Sequence, residues 1–138
     1  MFQQMADHNG RQALTSGATG PTPSDAEAVA ARFMALSAEI RGCAILGPGG
    51  LLAATGEPAQ WSRSAADLLA AADAAAGGAA SQAHVATEDG EAYAVRLAGL
   101  AMVAVTDRFA LASLVLADMR AAMRELARAG SADVARAA

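Results

Sequence analysis

Two side chains in this 138-residue chain could form a nucleophile and its base: Cys43, the single cysteine, and His84, one of two histidines. A cysteine attacks as its thiolate, so it needs a polar, activating pocket with a base in reach. Cys43 instead lies in the apolar run Gly42-Cys-Ala-Ile-Leu-Gly47, where cysteine packs as a small hydrophobe. His84 belongs to the half-polar stretch Ser81–Glu88, a setting for a surface or seam histidine, and one that could respond to pH. Glu88, Asp89 and Glu91 surround Gly90, but a calcium loop needs more oxygen ligands at fixed spacing, so this is a solvated turn. Asp7 and His8 have no further ligands nearby. Pro48-Gly49-Gly50 joins two apolar runs, whereas a phosphate cradle would lead from a strand into a helix. All ten basic residues are arginine, which excludes Schiff-base lysine chemistry and a Walker lysine. The expectation is no catalytic residue, no cofactor and no metal, and so no enzyme.

The elements that position these residues follow from periodicity. Tyr93, Val95 and Leu97 alternate with Ala92, Ala94 and Arg96, as in a strand with one better-buried face. After the turn signal Ala98-Gly99, Leu100–Val105 is apolar on both faces and predicts a central strand covered on each side. Ser24 and Glu27 form a capping box before Val29, Phe33, Leu36 and Ile40, one face of a helix that Gly42 should end. Gly42–Gly47 and Leu51–Thr55 make a hairpin around Pro48-Gly49-Gly50. Glu57–Arg63 reads as a loop holding Trp61, and Ser64 as the cap of an alanine-rich helix stopped by Gly77-Gly78. Ser81–Glu88 predicts an edge strand, with Gln82, His84 and Ala86 on one face and Ala83, Val85 and Thr87 on the other. Glu88-Asp89-Gly90-Glu91 is the hairpin turn that follows it. A last helix, capped by Thr106 or Asp107, carries Leu111, Leu114, Val115, Met119, Ala122 and Leu126 on its apolar face and stops at Gly130.

The organisation is therefore a tail over 1–23, one α+β domain over 24–130 and a short tail over 131–138. Net charge is −4 with no basic stripe, which argues against nucleic acid. No apolar run reaches the ~18–20 residues of a membrane span. The N-terminal residues lack the apolar segment of a signal peptide, and one cysteine allows no internal disulfide. A cytoplasmic protein is expected.

The order helix, strand, strand, helix, three strands, helix resembles the roadblock/LC7 family. The resemblance rests on Gly42-Cys-Ala-Ile-Leu-Gly-Pro-Gly-Gly-Leu-Leu-Ala53, with the Gly-Leu turn at Gly50-Leu51. It rests also on Leu100-Ala-Met-Val-Ala-Val-Thr-Asp107 leading into a helix with Met119-Arg120-Ala121-Ala122. It spans about residues 25–129. Ala112 stands where members often carry glycine. The family implies an antiparallel sheet in the order 2-1-5-4-3, with one helix on one face and two on the other. It further implies a homodimer through the middle helix and the edge strand, and a Ras-like small GTPase as partner, bound or activated. Some actinobacterial members are associated with a sensor kinase as well, and the lysine-free, alanine-rich composition suits a high-GC bacterial genome.

Within that resemblance the expected dimer or partner surface is Ala66, Leu69, Ala70, Asp73 and Ala74 on the middle helix with Gln82, His84 and Ala86 on the edge strand. The helix Ala65–Ala76 is small and apolar most of the way round, as helices covered on two sides are. Arg63 and Arg108 precede helices and could reach a GTPase as arginine fingers, but solvated surface arginines explain them as well. The alternative is a small-ligand sensor or scaffold of PAS-, GAF- or profilin-like architecture. It needs a roomy cavity, which so many small side chains argue against.

Overall fold

The computed structural model describes residues 20–137. Most of the expected N-terminal tail, with Asp7 and His8, lies outside the described residues, as does Ala138. Three helices and five strands alternate as α1 (Pro23–Met34), β1 (Ile40–Gly47), β2 (Gly50–Ala54), α2 (Pro58–Ala76), β3 (Gln82–Ala86), β4 (Glu91–Leu97), β5 (Leu100–Thr106) and α3 (Ala112–Ala137). The strands form one antiparallel sheet in the order β2-β1-β5-β4-β3, as expected.

β5 is the middle strand, and every residue of it but Val105 is buried. Its alternate side chains serve two separate cores. Met102 and Ala104 join Ile45, Tyr93, Val95, Phe33, Met119, Met123 and Leu126 under α1 and α3. Val103 joins Ala94 and Ala65 under α2, with Trp61, Leu68, Leu69, Leu46 and Ala83 closing around them. One face thus carries two helices and the other carries one. The β4–β5 hairpin turns at Ala98 and Gly99, both at positive φ (53° and 79°), the pairing that a two-residue turn with right-handed strand twist requires.

Several boundaries differ from the expectation, each for a physical reason. The first N-cap is Thr22, not Ser24. Its Oγ1 accepts the Asp25 N–H at 3.0 Å, while the Asp25 carboxylate accepts the Thr22 N–H at 3.1 Å, and Pro23 supplies a preset φ at the first helical position. α1 ends at Met34, well before Gly42, because Ile40 is already paired with Thr106 in the sheet. Gly42 is inside β1. A Cβ there would lie 2.9 Å from Thr55 Oγ1 and 3.1 Å from Trp61 Cζ2, so it is a close-approach glycine and not a helix stop.

α2 begins at Pro58 with Glu57 as cap, so the expected Trp61 loop is helix and Ser64 is an interior residue. α3 begins at Ala112, after a turn at Asp107–Leu111, and not directly after Thr106 or Asp107. Its buried stripe is Val115, Met119, Ala122, Met123 and Leu126, while Leu111, ahead of the helix, and Leu114, in its first turn, are exposed at 65% and 55%. α3 also runs through Gly130, the expected stop, to Ala137, so the short C-terminal tail continues as helix, one of the two states open to it. A Cβ at Gly130 would sit 2.6 Å from Pro21 Cδ, so this glycine too makes room for a neighbour.

Candidate interaction surface on the middle helix and the sheet edge

β3 is the free edge of the sheet on the α2 side, and the ladder register decides what it offers. Arg96 N–H donates to Ser81 O at 2.8 Å and Thr87 N–H to Gly90 O at 2.8 Å. Hydrogen-bonded and non-hydrogen-bonded pairs alternate along an antiparallel ladder. Ala83 and Val85 therefore bond inward to Ala94 and Ala92, while the backbone N–H and C=O groups of Gln82, His84 and Ala86 point away from the sheet. These are the three β3 residues expected at an interface. Four of the five residues of β3 are exposed and Ala83 is half-buried.

α2 is anchored on few atoms. Of its 19 residues only Ala65 is buried, whereas the 12 residues of α1 bury four. Ala66, Ala70 and Ala74 lie on its exposed side, as expected. Leu69 is half-buried against the Ala65, Ala94 and Val103 cluster. An apolar groove of about 400 Å³ separates the helix from the edge strand, lined on one side by Leu68, Ala72 and Ala76 and on the other by Ala83 and Val85. Val85 is 44% exposed at its floor.

Two polar clasps hold α2 in place. At its start, Trp61 Nε1 donates to Thr55 O at 2.5 Å, and Thr55 Oγ1 accepts the Cys43 N–H at 3.1 Å. At its end, Asp73 forms a fork with Arg96, at 2.5 Å to Nη1 and 3.0 Å to Nη2. Asp73 Oδ1 also accepts the Ala80 N–H at 2.9 Å. The Arg96 bond, then the Ala80 bond, hold the Asp73 carboxyl below its ordinary range, and the same fork raises Arg96. Asp73, expected at the partner surface, thus fixes the chain that leads from α2 into β3.

On the opposite face of the edge, Glu91 is a hub. Its Oε1 lies 2.5 Å from His84 Nε2 and accepts Tyr93 Oη–H at 3.0 Å, while its Oε2 accepts the Phe109 N–H at 2.7 Å. These bonds, the His84 one foremost, lower the Glu91 carboxyl. Burial, then Glu91, raises the Tyr93 hydroxyl. The His84 ring stacks on Tyr93 with centroids 4.6 Å apart. Arg120 from α3 donates to Gln82 Oε1 at 2.5 Å. His84 is thus placed by two neighbours, Glu91 and Tyr93, while its backbone faces outward.

Phe109 belongs to this surface and went unread in the sequence. It is 81% exposed at φ 66°, a left-handed conformation that a large side chain rarely adopts, and the Arg108 guanidinium lies 4.7 Å from its ring centroid. The signal available was Asp107-Arg-Phe109 between a strand and a helix, a turn with an aromatic at its tip.

The chemical candidates are not brought together. Cys43 and His84 sit on β1 and β3, three strand spacings apart or ~14 Å. Burial pushes the Cys43 thiol up to about 11, so it stays protonated at neutral pH. The carboxylates of the β3–β4 turn diverge, with Glu91 turned to His84 and Asp89 offering its backbone carbonyl to Arg41 at 2.5 Å. Among the described residues no group of three or more His, Cys, Asp or Glu could hold a metal. Nor is any described helix long and apolar enough to cross a membrane.

This sheet order, with a lone helix on one face and a helix pair on the other, defines a roadblock/LC7-type fold. Among solved structures the chain is similar to Myxococcus xanthus MglB, at 16% identity and TM-score 0.67 over 81% of this chain and 92% of that one. It is also similar to the Roadblock/LC7 domain from Streptomyces avermitilis, at 13% identity and TM-score 0.59 over 71% and 91%. No family model and no curated protein matches the sequence.

Proposed function

We propose that this chain is a non-catalytic regulatory module of the cytoplasm that homodimerises through α2 and β3 and binds or activates a Ras-like small GTPase. One observation carries the reading. The helix with the least burial lies beside the strand with the least burial, across an apolar groove. An unpaired edge and an uncovered small-residue helix are both liabilities in a monomer, and a second copy would cover them together. The GTPase rests on the roadblock/LC7-type fold and on the residues that resemble the family.

Such a module needs no reactive group. It acts by fitting one conformation of the GTPase switch loops better than the other, which shifts their population. The raised Cys43 thiol and the scattered carboxylates agree with that mode of action. The test is a binding titration of the purified chain against small GTPases of its own cell, loaded with GDP or with a non-hydrolysable GTP analogue, alongside sedimentation at micromolar concentration. Saturable, nucleotide-dependent binding by a dimer is expected. A monomer with no preference for any GTPase state would overturn the proposal.

A further inference from the structure

Among the described residues five large apolar side chains are exposed, and four of them lie at one end of the molecule. Leu36 is in the α1–β1 connection (35–39), Phe109 and Leu111 in the β5–α3 connection (107–111), and Leu114 in the first turn of α3. Only Val85 belongs to the α2–β3 surface. The two connections are tied together, because the Asp107 N–H donates to Glu39 O at 2.9 Å. Arg41 draws in the β3–β4 turn, donating to Asp107 Oδ1 at 3.1 Å, Thr106 O at 2.9 Å and Asp89 O at 2.5 Å. Gly90 leaves the space that this guanidinium fills. Exposed leucines are ordinary one at a time, but four large apolar residues at one such end mark a contact. Phe109 is the clearest. Its left-handed backbone is unfavourable for a large side chain, and a ring left in water gives little back. Glu91 holds its N–H and Arg108 lies against its ring, so the ring is presented in one place. Glycine would suit that φ better, and what phenylalanine adds is the exposed ring.

The charges at this end select the occupant. Glu39, Glu88, Asp89, Glu91 and Asp107 are met there by only two guanidiniums, Arg41 and Arg108. Arg41 is taken up by Asp107 and the two carbonyls, and Arg108 by the Phe109 ring. Glu91 is engaged by His84, Tyr93 and Phe109. The side chains of Glu39, Glu88 and Asp89 are exposed and have no hydrogen-bond or ion-pair partner among the described residues. An anionic membrane, a nucleic acid or the same end of a second copy would each bring negative charge to negative. A segment with lysines or arginines beside apolar side chains satisfies both features. We propose that this end of the sheet docks a basic, amphipathic segment of another protein. Its apolar side chains cover Phe109, Leu111 and Leu114, and its cations face Glu39, Glu88 and Asp89. Neither α2 nor the backbone edge of β3 takes part, so this proposal is independent of the dimer and GTPase reading above.

The test uses the full chain and a short fluorescein-labelled peptide with leucine at every third or fourth position and lysine between. A second peptide carries glutamate in place of lysine. Anisotropy at about 0.15 M salt should show saturable binding of the lysine peptide and none of the glutamate peptide. Phe109→Gly should weaken that binding at least about five-fold, while its melt stays level or rises because the left-handed strain is gone. Glu88→Gln with Asp89→Asn should weaken it about two- to five-fold. Asp67→Asn, which removes an exposed charge on α2, should leave it level. No binding, or binding that Phe109→Gly leaves unchanged, would overturn the proposal. So would equal weakening by Asp67→Asn, which means general attraction to an acidic chain. A Phe109→Gly melt lowered by many degrees would assign the ring to the fold. A dimer weakened by Phe109→Gly, read by sedimentation, would assign this end to a second copy. Phe109-dependent flotation with phosphatidylglycerol vesicles would assign it to a membrane. Any of these three results overturns the proposal as well.

Discussion

Ala70→Arg separates folding from assembly. Ala70 lies on the exposed side of α2, one turn from Ala66 and one from Ala74. In the monomer the new side chain extends into water, and arginine is nearly as good a helix former as alanine. The cost to monomer stability should stay within ~0.5 kcal/mol, a melting shift below about 4 °C for a domain of this size. In the proposed dimer the same side chain would meet the partner's α2, whose outer residues are alanines. Overfilling a close-packed contact costs ~1–3 kcal/mol, and symmetry applies it twice, so Kd should rise at least about thirty-fold. The assay pairs sedimentation velocity over a concentration series with a circular-dichroism melt at a concentration where the monomer dominates. An unchanged Kd with an unchanged melt would refute the placement of α2 at the seam. A melt lowered by many degrees would contradict the exposure of Ala70.

Four further outcomes follow from the geometry. Gly42→Val should lower stability by ~1–3 kcal/mol and red-shift the emission of Trp61, the single tryptophan, because the new Cβ would lie 2.9 Å from Thr55 Oγ1 and 3.1 Å from the indole; an unchanged melt and spectrum would refute the contact. Thr22→Ala should cost ~1 kcal/mol, read from the urea midpoint, since it removes the side-chain half of the α1 capping box. Asp73 has a folded-state pKa below its unfolded value, so its fork with Arg96 contributes stability that is complete above the ordinary carboxylate range and is lost as pH falls through the lowered value. The urea midpoint of the wild type should then fall more on acidification than that of Asp73→Asn, and parallel curves would count against the fork. Cys43 should resist thiol reagents in the native protein at about pH 8 and react on unfolding, given a thiol raised to about 11; stoichiometric native labelling would place it in an open pocket.

The sheet was legible because its signals are local and strong. Leu100–Val105 has no polar position for solvent to occupy, so it could only be a covered middle strand, and β5 is that strand. The alternation of Ser81–Glu88 separated Gln82, His84 and Ala86 from Ala83 and Val85, and the β3–β4 register does the same. Helix boundaries were less legible. Gly42 and Gly130 both stand where a helix-stopping glycine is plausible, yet each is glycine because another chain segment passes close by. A glycine shows that a side chain is absent and does not show why. Pro58 was the overlooked signal for α2, since proline is favoured at a first helical position. For Phe109 the sequence offered only a turn with an aromatic at its tip; its left-handed conformation, with its N–H bonded to the Glu91 carboxylate 18 positions away, had no local signal.

The exposed faces of α2 and β3 were legible in part for the same reason. Alanine periodicity marked α2 as a helix that packs closely and put Ala66, Ala70 and Ala74 on its outer side, where they are exposed. Leu69 and Asp73 were both expected at the partner surface, yet Leu69 is half-buried against the sheet and Asp73 is held by Arg96. What remains outward is Ala66, Ala70 and Ala74 beside the free edge of His84, a strip without long side chains. A strip of that kind gives little affinity to a partner of arbitrary shape, because it offers no anchor to bury. It suits a helix of equal smoothness and a strand of equal register. A second copy of this chain, the partner proposed above, has both, and on that reading the same substitution, Ala70→Arg, should be neutral for the fold and decisive for the assembly.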